Sequence, residues 1–228
     1  MRALPLLLIG CVTLEDYVGP KDDVDTDTLA EAVVADTDVV PTPTPTPTPQ
    51  DTSPPPDTDP PEPQLHQRPL ILVEVADGST HPWKFVQVFN PGDLPTPMGD
   101  YTLEKFSNGG GPPDDPDGVY VFPDADLPAG ASFVVAYDQS DVQFEAVFGR
   151  PAHDYSGVVD GNGDDVYVLR EDGLLRDIYG VFDSSGPLAW DYRDQTSQRD
   201  TAVLEGRSQH ALSEWTLLPA HHAAPFHR

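Results

Sequence analysis

From Pro41 to Pro49 the chain alternates proline and threonine without interruption, and from Pro54 to Pro63 six more prolines fall within ten residues. Each proline fixes φ and removes a backbone donor, so neither a helix nor a sheet interior can run through this stretch. It divides the chain into segments that must fold separately. The tract itself is expected to run as polyproline II, where about 3.1 Å per residue carries the Pro-Thr alternation across roughly 28 Å. Residues 12–69 also hold 13 Asp or Glu against Lys21 and Arg68. Self-repulsion extends such a segment, and its few apolar side chains cannot offset the entropy of ordering it, so 12–69 reads as a disordered Pro/Thr/Asp-rich linker.

The acidity is not confined to the linker. Thirty-nine acidic against 12 basic residues give the whole chain a formal net charge of -27. Nucleic-acid binding draws much of its affinity from basic side chains that displace counterions, so direct DNA or RNA binding is not expected. The single cysteine, Cys11, excludes an internal disulfide and a cysteine-rich zinc site.

Cys11 closes a short leader. Met1 and Arg2 precede an apolar run from Ala3 to Ile9, followed by Gly10 and Cys11. A positive charge, an apolar stretch and a small residue are the order of a secretory signal. The run is too short for a membrane-spanning helix, which needs about 20 residues. Leu8-Ile9-Gly10-Cys11 resembles the lipobox of bacterial lipoproteins. That resemblance implies a signal peptide over 1–11, lipid attachment at Cys11, and anchoring to a bacterial membrane. Two or more acyl chains hold a protein on a bilayer stably where one does not. Val12, directly after the cysteine, is not the aspartate that resembles an inner-membrane retention signal, which points to the outer membrane of the cell envelope.

From Leu70 onward, short apolar runs alternate with Gly, Pro, Asp and Asn. Residues 70–76, 84–90, 101–107, 119–122, 131–137, 166–170 and 174–182 carry the β-branched and aromatic enrichment of strands. Phe85, Gln87 and Phe89 fall on one face of their run and Val86 and Val88 on the other. The breakers between runs supply turn conformations. Residues 140–149 differ: Val142, Phe144, Val147 and Phe148 follow a helical spacing behind Ser140, which predicts one short helix in a crossover between strands. Seven strands and one helix predict an all-β sandwich. The segment is long enough to bury about 70% of its unfolded surface without a disulfide.

Several of these runs also carry a family resemblance. The stretch Lys84-Phe85-Val86-Gln87-Val88-Phe89-Asn90-Pro91-Gly92 resembles the second-strand signature of lamin-tail domains. Gly99-Asp100-Tyr101-Thr102-Leu103 is similar to the next strand, Leu127-Pro128-Ala129-Gly130 with Phe133-Val134-Val135-Ala136 to the following step, and Asn162-Gly163-Asp164-Asp165-Val166-Tyr167-Val168-Leu169 to the most specific motif. Asp177-Ile178-Tyr179-Gly180, Trp190 and Ser197-Gln198-Arg199 follow in the family's order. The resemblance spans 70–218, leaves 219–228 as a flexible tail, and implies an immunoglobulin-like β-sandwich. Where the family commonly has acids flanking the second-strand aromatic, this chain has Lys84 and Gln87.

Candidate site residues are few. Asp160, Asn162, Asp164 and Asp165 crowd oxygen atoms into a glycine-rich loop, a set that reads as a turn whose side chains cap their own backbone or as ligands for calcium. The loop at 114–118 allows the same two readings. Among the aromatics, Trp83 beside Pro82 is the candidate partner contact, since exposed aromatics stack on sugars and anchor interfaces. No nucleophile elbow, phosphate-binding loop or His-Glu-x-x-His pair occurs. These features predict a non-catalytic, lipid-anchored module that binds a protein or polysaccharide and needs no cofactor beyond calcium. The alternative, implied by the company lamin-tail domains keep, is an accessory to a secreted nuclease or phosphatase.

Overall fold

Strand-forming side chains become strands only where neighbours complete their backbone hydrogen bonds, and the pairing here defines a mostly-β fold. The computed structural model describes residues 64–111, 113–183 and 188–227. In chain order these form β1 (Ile71–Asp77), β2 (Phe85–Phe89), β3 (Thr96–Pro97), β4 (Tyr101–Phe106), β5 (Gly118–Val121), β6 (Asp126–Leu127) and β7 (Ser132–Ala136). Then come α1 (Asp141–Phe148), β8 (Asp154–Tyr155), β9 (Val166–Glu171), β10 (Leu174–Tyr179), β11 (Gln195–Arg199) and β12 (Trp215–Pro219). The seven strand segments and the helix predicted from sequence all have counterparts here. Cys11, the Pro-Thr tract and the rest of the linker up to residue 63 lie outside the described residues. No described helix is long and apolar enough to cross a membrane.

The strands form a large sheet in the order β12-β11-β1-β2-β7-β8, a four-stranded sheet β10-β9-β4-β5, and the short pair β3-β6. All pairings are antiparallel except β7 with β8. A parallel neighbour needs a crossover, and α1 lies in that connection. One buried cluster draws Leu72, Val75, Val86, Val88, Phe133 and Val135 from the large sheet and Tyr101, Leu103, Tyr120, Tyr167, Leu169 and Tyr179 from the four-stranded sheet. A bulge between Leu72 and Glu74 lets both Leu72 and Val75 join that cluster despite their odd spacing.

The opposite face of the large sheet is covered as well. Ala76, Phe85, Val134 and Ala136 pack with Phe144 of α1 and Ala152, and with the partly buried Phe148, Tyr155, Ala223 and Phe226. Burial on both faces explains why β1 reads as a near-continuous apolar run. It also corrects the expectation of a flexible tail at 219–228. Glu74 and Gln87 are polar, yet 2% and 0% exposed, and they need partners. The tail backbone supplies them: Ala224 N donates to Glu74 Oε1 at 2.9 Å, Phe226 N to Gln87 Oε1 at 2.7 Å, and Gln87 Nε2 to the His227 carbonyl at 3.2 Å. An amide at position 87 can both accept and donate, which a carboxylate cannot.

Candidate functional site

The glycine-rich loop before β9 does not gather its oxygens. Asp165 is the centre of the turn: Oδ1 accepts from Asn108 N at 2.7 Å and Oδ2 from Asn162 N at 2.9 Å. Gly163 sits at φ 103, with Arg193 backbone against the place a Cβ would occupy. Asp160 pairs with Lys105 and Asp164 with Arg193 at 3.1 Å, while the Asn162 side chain is exposed. The second oxygen of Asp164 has no partner. Even so, among the described residues no three His, Cys, Asp or Glu are placed to hold a metal ion. Of the expected calcium ligands, Asp160 contacts Lys105, Asp164 contacts Arg193, Asp165 accepts two backbone amides, and the Asn162 side chain is exposed. In the 114–118 loop, Asp117 accepts the Ser107 amide at 2.6 Å, and that bond holds its carboxyl below the usual range.

Trp83 is also committed to the fold. It closes a 3-10 turn over His81–Trp83, is half-buried, and meets Phe148 edge-on at 5.1 Å. Gly78 lies directly against its Cβ, where no larger residue fits. Trp190, Tyr192 and Trp215 are buried around Tyr179. Those three offer no free aromatic face, whereas Trp83 remains partly exposed. Lys84 ties the large sheet to the loop before β9, donating to Asp77 and to the Gly161 carbonyl at 2.5 Å.

Between the two larger sheets lies a buried ionic network. Arg199, whose side chain is 1% exposed, contacts Asp177 at 2.5 Å, Glu214 at 2.7 Å and the Leu72 carbonyl at 3.1 Å. Arg207 closes on Glu214 from outside at 2.6 Å. Burial pushes the Asp177 carboxyl up despite Arg199. Burial also raises Glu214, but hydrogen bonds from both arginines more than offset it and the net shift is downward. His210 stacks on Trp215, its Nδ1 accepts from Gly180 N at 3.1 Å, and burial followed by the Arg199 charge brings it down to about 4. The acids and arginines of this network are tied to one another, while His210 Nε2 is buried without a hydrogen-bond partner.

Of the nine described Lys and Arg side chains, eight contact a carboxylate. Arg150 is the ninth. It follows Gly149, which ends α1 in the left-handed conformation, and its guanidinium lies 3.9 Å above the Phe226 ring. Beside it a cavity of about 400 Å3 is lined by Gly130, Ala131, Ser132, Arg150, His153, Phe226 and His227. No acid lines it, in a domain rich in acids. Asp154, the nearest acid in the chain, instead accepts the Tyr120 hydroxyl at 2.7 Å. His153 completes the edge of β7, donating its backbone N–H to the Val134 carbonyl and accepting the Val134 N–H on Nδ1, both at 3.0 Å. Its ring stacks on Phe133 at 5.0 Å, and burial, then the Arg150 charge, lowers its basicity.

No family model and no curated protein matches the chain. The sequence did not single out this cavity, because its lining comes from three separated segments. The one signal available was local: Arg150 and His153, three residues apart with no acid between them, in an acidic chain.

Proposed function

We propose that this chain is a bacterial cell-envelope lipoprotein: Cys11 carries the lipid, the acidic Pro/Thr linker is the spacer, and the β-rich domain is a non-catalytic binding module. In its finer form the domain is an immunoglobulin-like β-sandwich of the lamin-tail type. A core shared by the two larger sheets supports the sandwich, as does the order of the motifs along the chain. The binding role rests on one observation: the perturbed acids and bases of the domain are held by structural partners, while Arg150, the one Lys or Arg among the described residues with no carboxylate contact, faces an open cavity. Binding sites are concave with a few placed polar groups, and this cavity has that form. The ligand is a protein or polysaccharide that reaches the envelope surface. Outer-membrane fractionation and palmitate labelling of the wild type and a Cys11→Ser form test the anchor. The wild type should label and sediment with membranes and the variant should do neither. An unlabelled wild type, with a variant that still sediments, overturns the lipoprotein reading.

A further inference from the structure

The cavity beside Arg150 is built from donors that face one another. His153 Nδ1 accepts the Val134 N–H, so it carries no proton, and the ring's remaining proton is on Nε2. That nitrogen lies 3.5 Å from Arg150 Nη2. An arginine has no acceptor, so the close approach is not a hydrogen bond between the two side chains. It brings two N–H donors to within 3.5 Å of each other at the wall of one cavity. The lowered basicity of His153 keeps the ring neutral near pH 7, and the Val134 N–H on Nδ1 selects the tautomer. Ser132 and His227 line the same cavity.

We infer that Arg150 and His153 form a binding site for a single oxyanion, a carboxylate or phosphate group on the ligand. This deepens the binding-module reading and rests on it. A guanidinium presents a planar fork that matches the two oxygens of such a group, and charge-assisted bonds of this kind are stronger than neutral ones. Packing against Phe226 and the β7 edge holds both side chains before any ligand arrives, which lowers the entropy lost on binding. The surrounding charge sets a limit on the ligand. Residues 70–228 hold 26 acidic against nine basic side chains, so the domain repels polyanions at long range. At physiological salt that field fades over about 8 Å. The site therefore suits one isolated oxyanion, such as a uronic acid or a phosphate monoester, and not a dense polyanion.

The test uses the full chain carrying Cys11→Ser, so that membrane attachment does not enter and a failed anchor is distinguished from a failed site. Histidine 15N spectra should show His153 with its proton on Nε2. Titration with inorganic phosphate, and separately with glucuronate, should shift the amides of 130–134 saturably at millimolar concentration with at least one of the two; which one identifies the source. Arg150→Gln should weaken that binding about tenfold or more. Arg150→Lys keeps a cation over Phe226 but loses the fork, so it should leave the 224–227 amide signals in place and weaken binding severalfold. A proton on Nδ1, no saturable shift with either anion, or either variant binding as well as the parent overturns the assignment.

Discussion

Replacing Arg199 by leucine removes the one cation that holds two carboxylates between the sheets. The side chain contacts Asp177, Glu214 and the Leu72 carbonyl from a site 1% exposed, and the Asp177 side chain is 0% exposed. Breaking a buried ion pair by deleting one partner costs about 3–5 kcal/mol, because the remaining charge stays desolvated. Asp177 keeps hydrogen bonds from the Leu72, Ile178 and Arg207 amides, and Glu214 keeps Arg207, which favours the lower end, about 3–4 kcal/mol. For a domain of this size each kcal/mol lowers Tm by about 2–4 °C, giving a drop of about 6–16 °C. The penalty also has a pH signature. Burial already raises the Asp177 pKa above its ordinary value, and losing Arg199 raises it further. A carboxylate whose folded pKa is raised carries its cost at pH above that pKa and sheds it as acid protonates it. The difference between variant and wild type should therefore be largest near neutral pH and shrink toward about pH 4. Urea denaturation followed by circular dichroism across that range measures both quantities. A neutral-pH loss below about 1 kcal/mol, or a loss that grows in acid, refutes the reasoning.

Three further outcomes follow from the geometry. His210, brought down to about 4 from an ordinary 6.5, is neutral in the fold and protonates more readily when unfolded, so its contribution is full above about pH 6.5 and is lost as pH falls toward 4. With part of the ring open to solvent, that loss is discounted to about 1–2 kcal/mol, and a His210→Asn form should show a shallower acid limb in thermal melts. Gln87→Glu removes the donor to the His227 carbonyl and buries a charge, so it should cost about 2–3 kcal/mol and expose the Phe226 amide to hydrogen exchange; unchanged protection would mean that the tail is held without the Gln87 side chain. Gly163→Ala forces a Cβ against Arg193 backbone at positive φ and should destabilise by about 2 kcal/mol or more, whereas calcium and ionic-strength-matched sodium should give the wild type the same Tm; a calcium-specific rise would restore the metal reading of that loop.

The features that the sequence determined are those in which a residue's own chemistry limits its backbone. Prolines alternating from 41 to 49 lack the backbone donors that a helix or sheet interior needs, whatever surrounds them. Branched and aromatic runs between Gly, Pro and Asn breakers announced β1, β2, β4, β5, β7, β9 and β10, and apolar spacing behind Ser140 announced α1. β11 gave no such signal: Gln195–Arg199 is wholly polar, and it is a strand because β1 and β12 pair its backbone on both sides, while Glu74, Asp177 and Glu214 take the side chains of Thr196, Gln198 and Arg199. The 160–165 loop shows the same limit. Its residue types allow calcium or a turn, and two of its carboxylates contact Lys105 and Arg193, 55 and 29 residues away, which no local pattern announced. At the Arg150 cavity even the donor character of His153 Nε2 depends on the Val134 amide reaching the other ring nitrogen. Backbone preference is a property of neighbours along the chain and can be read there. Charge pairing and tautomer are set by neighbours in space, and only folding creates those.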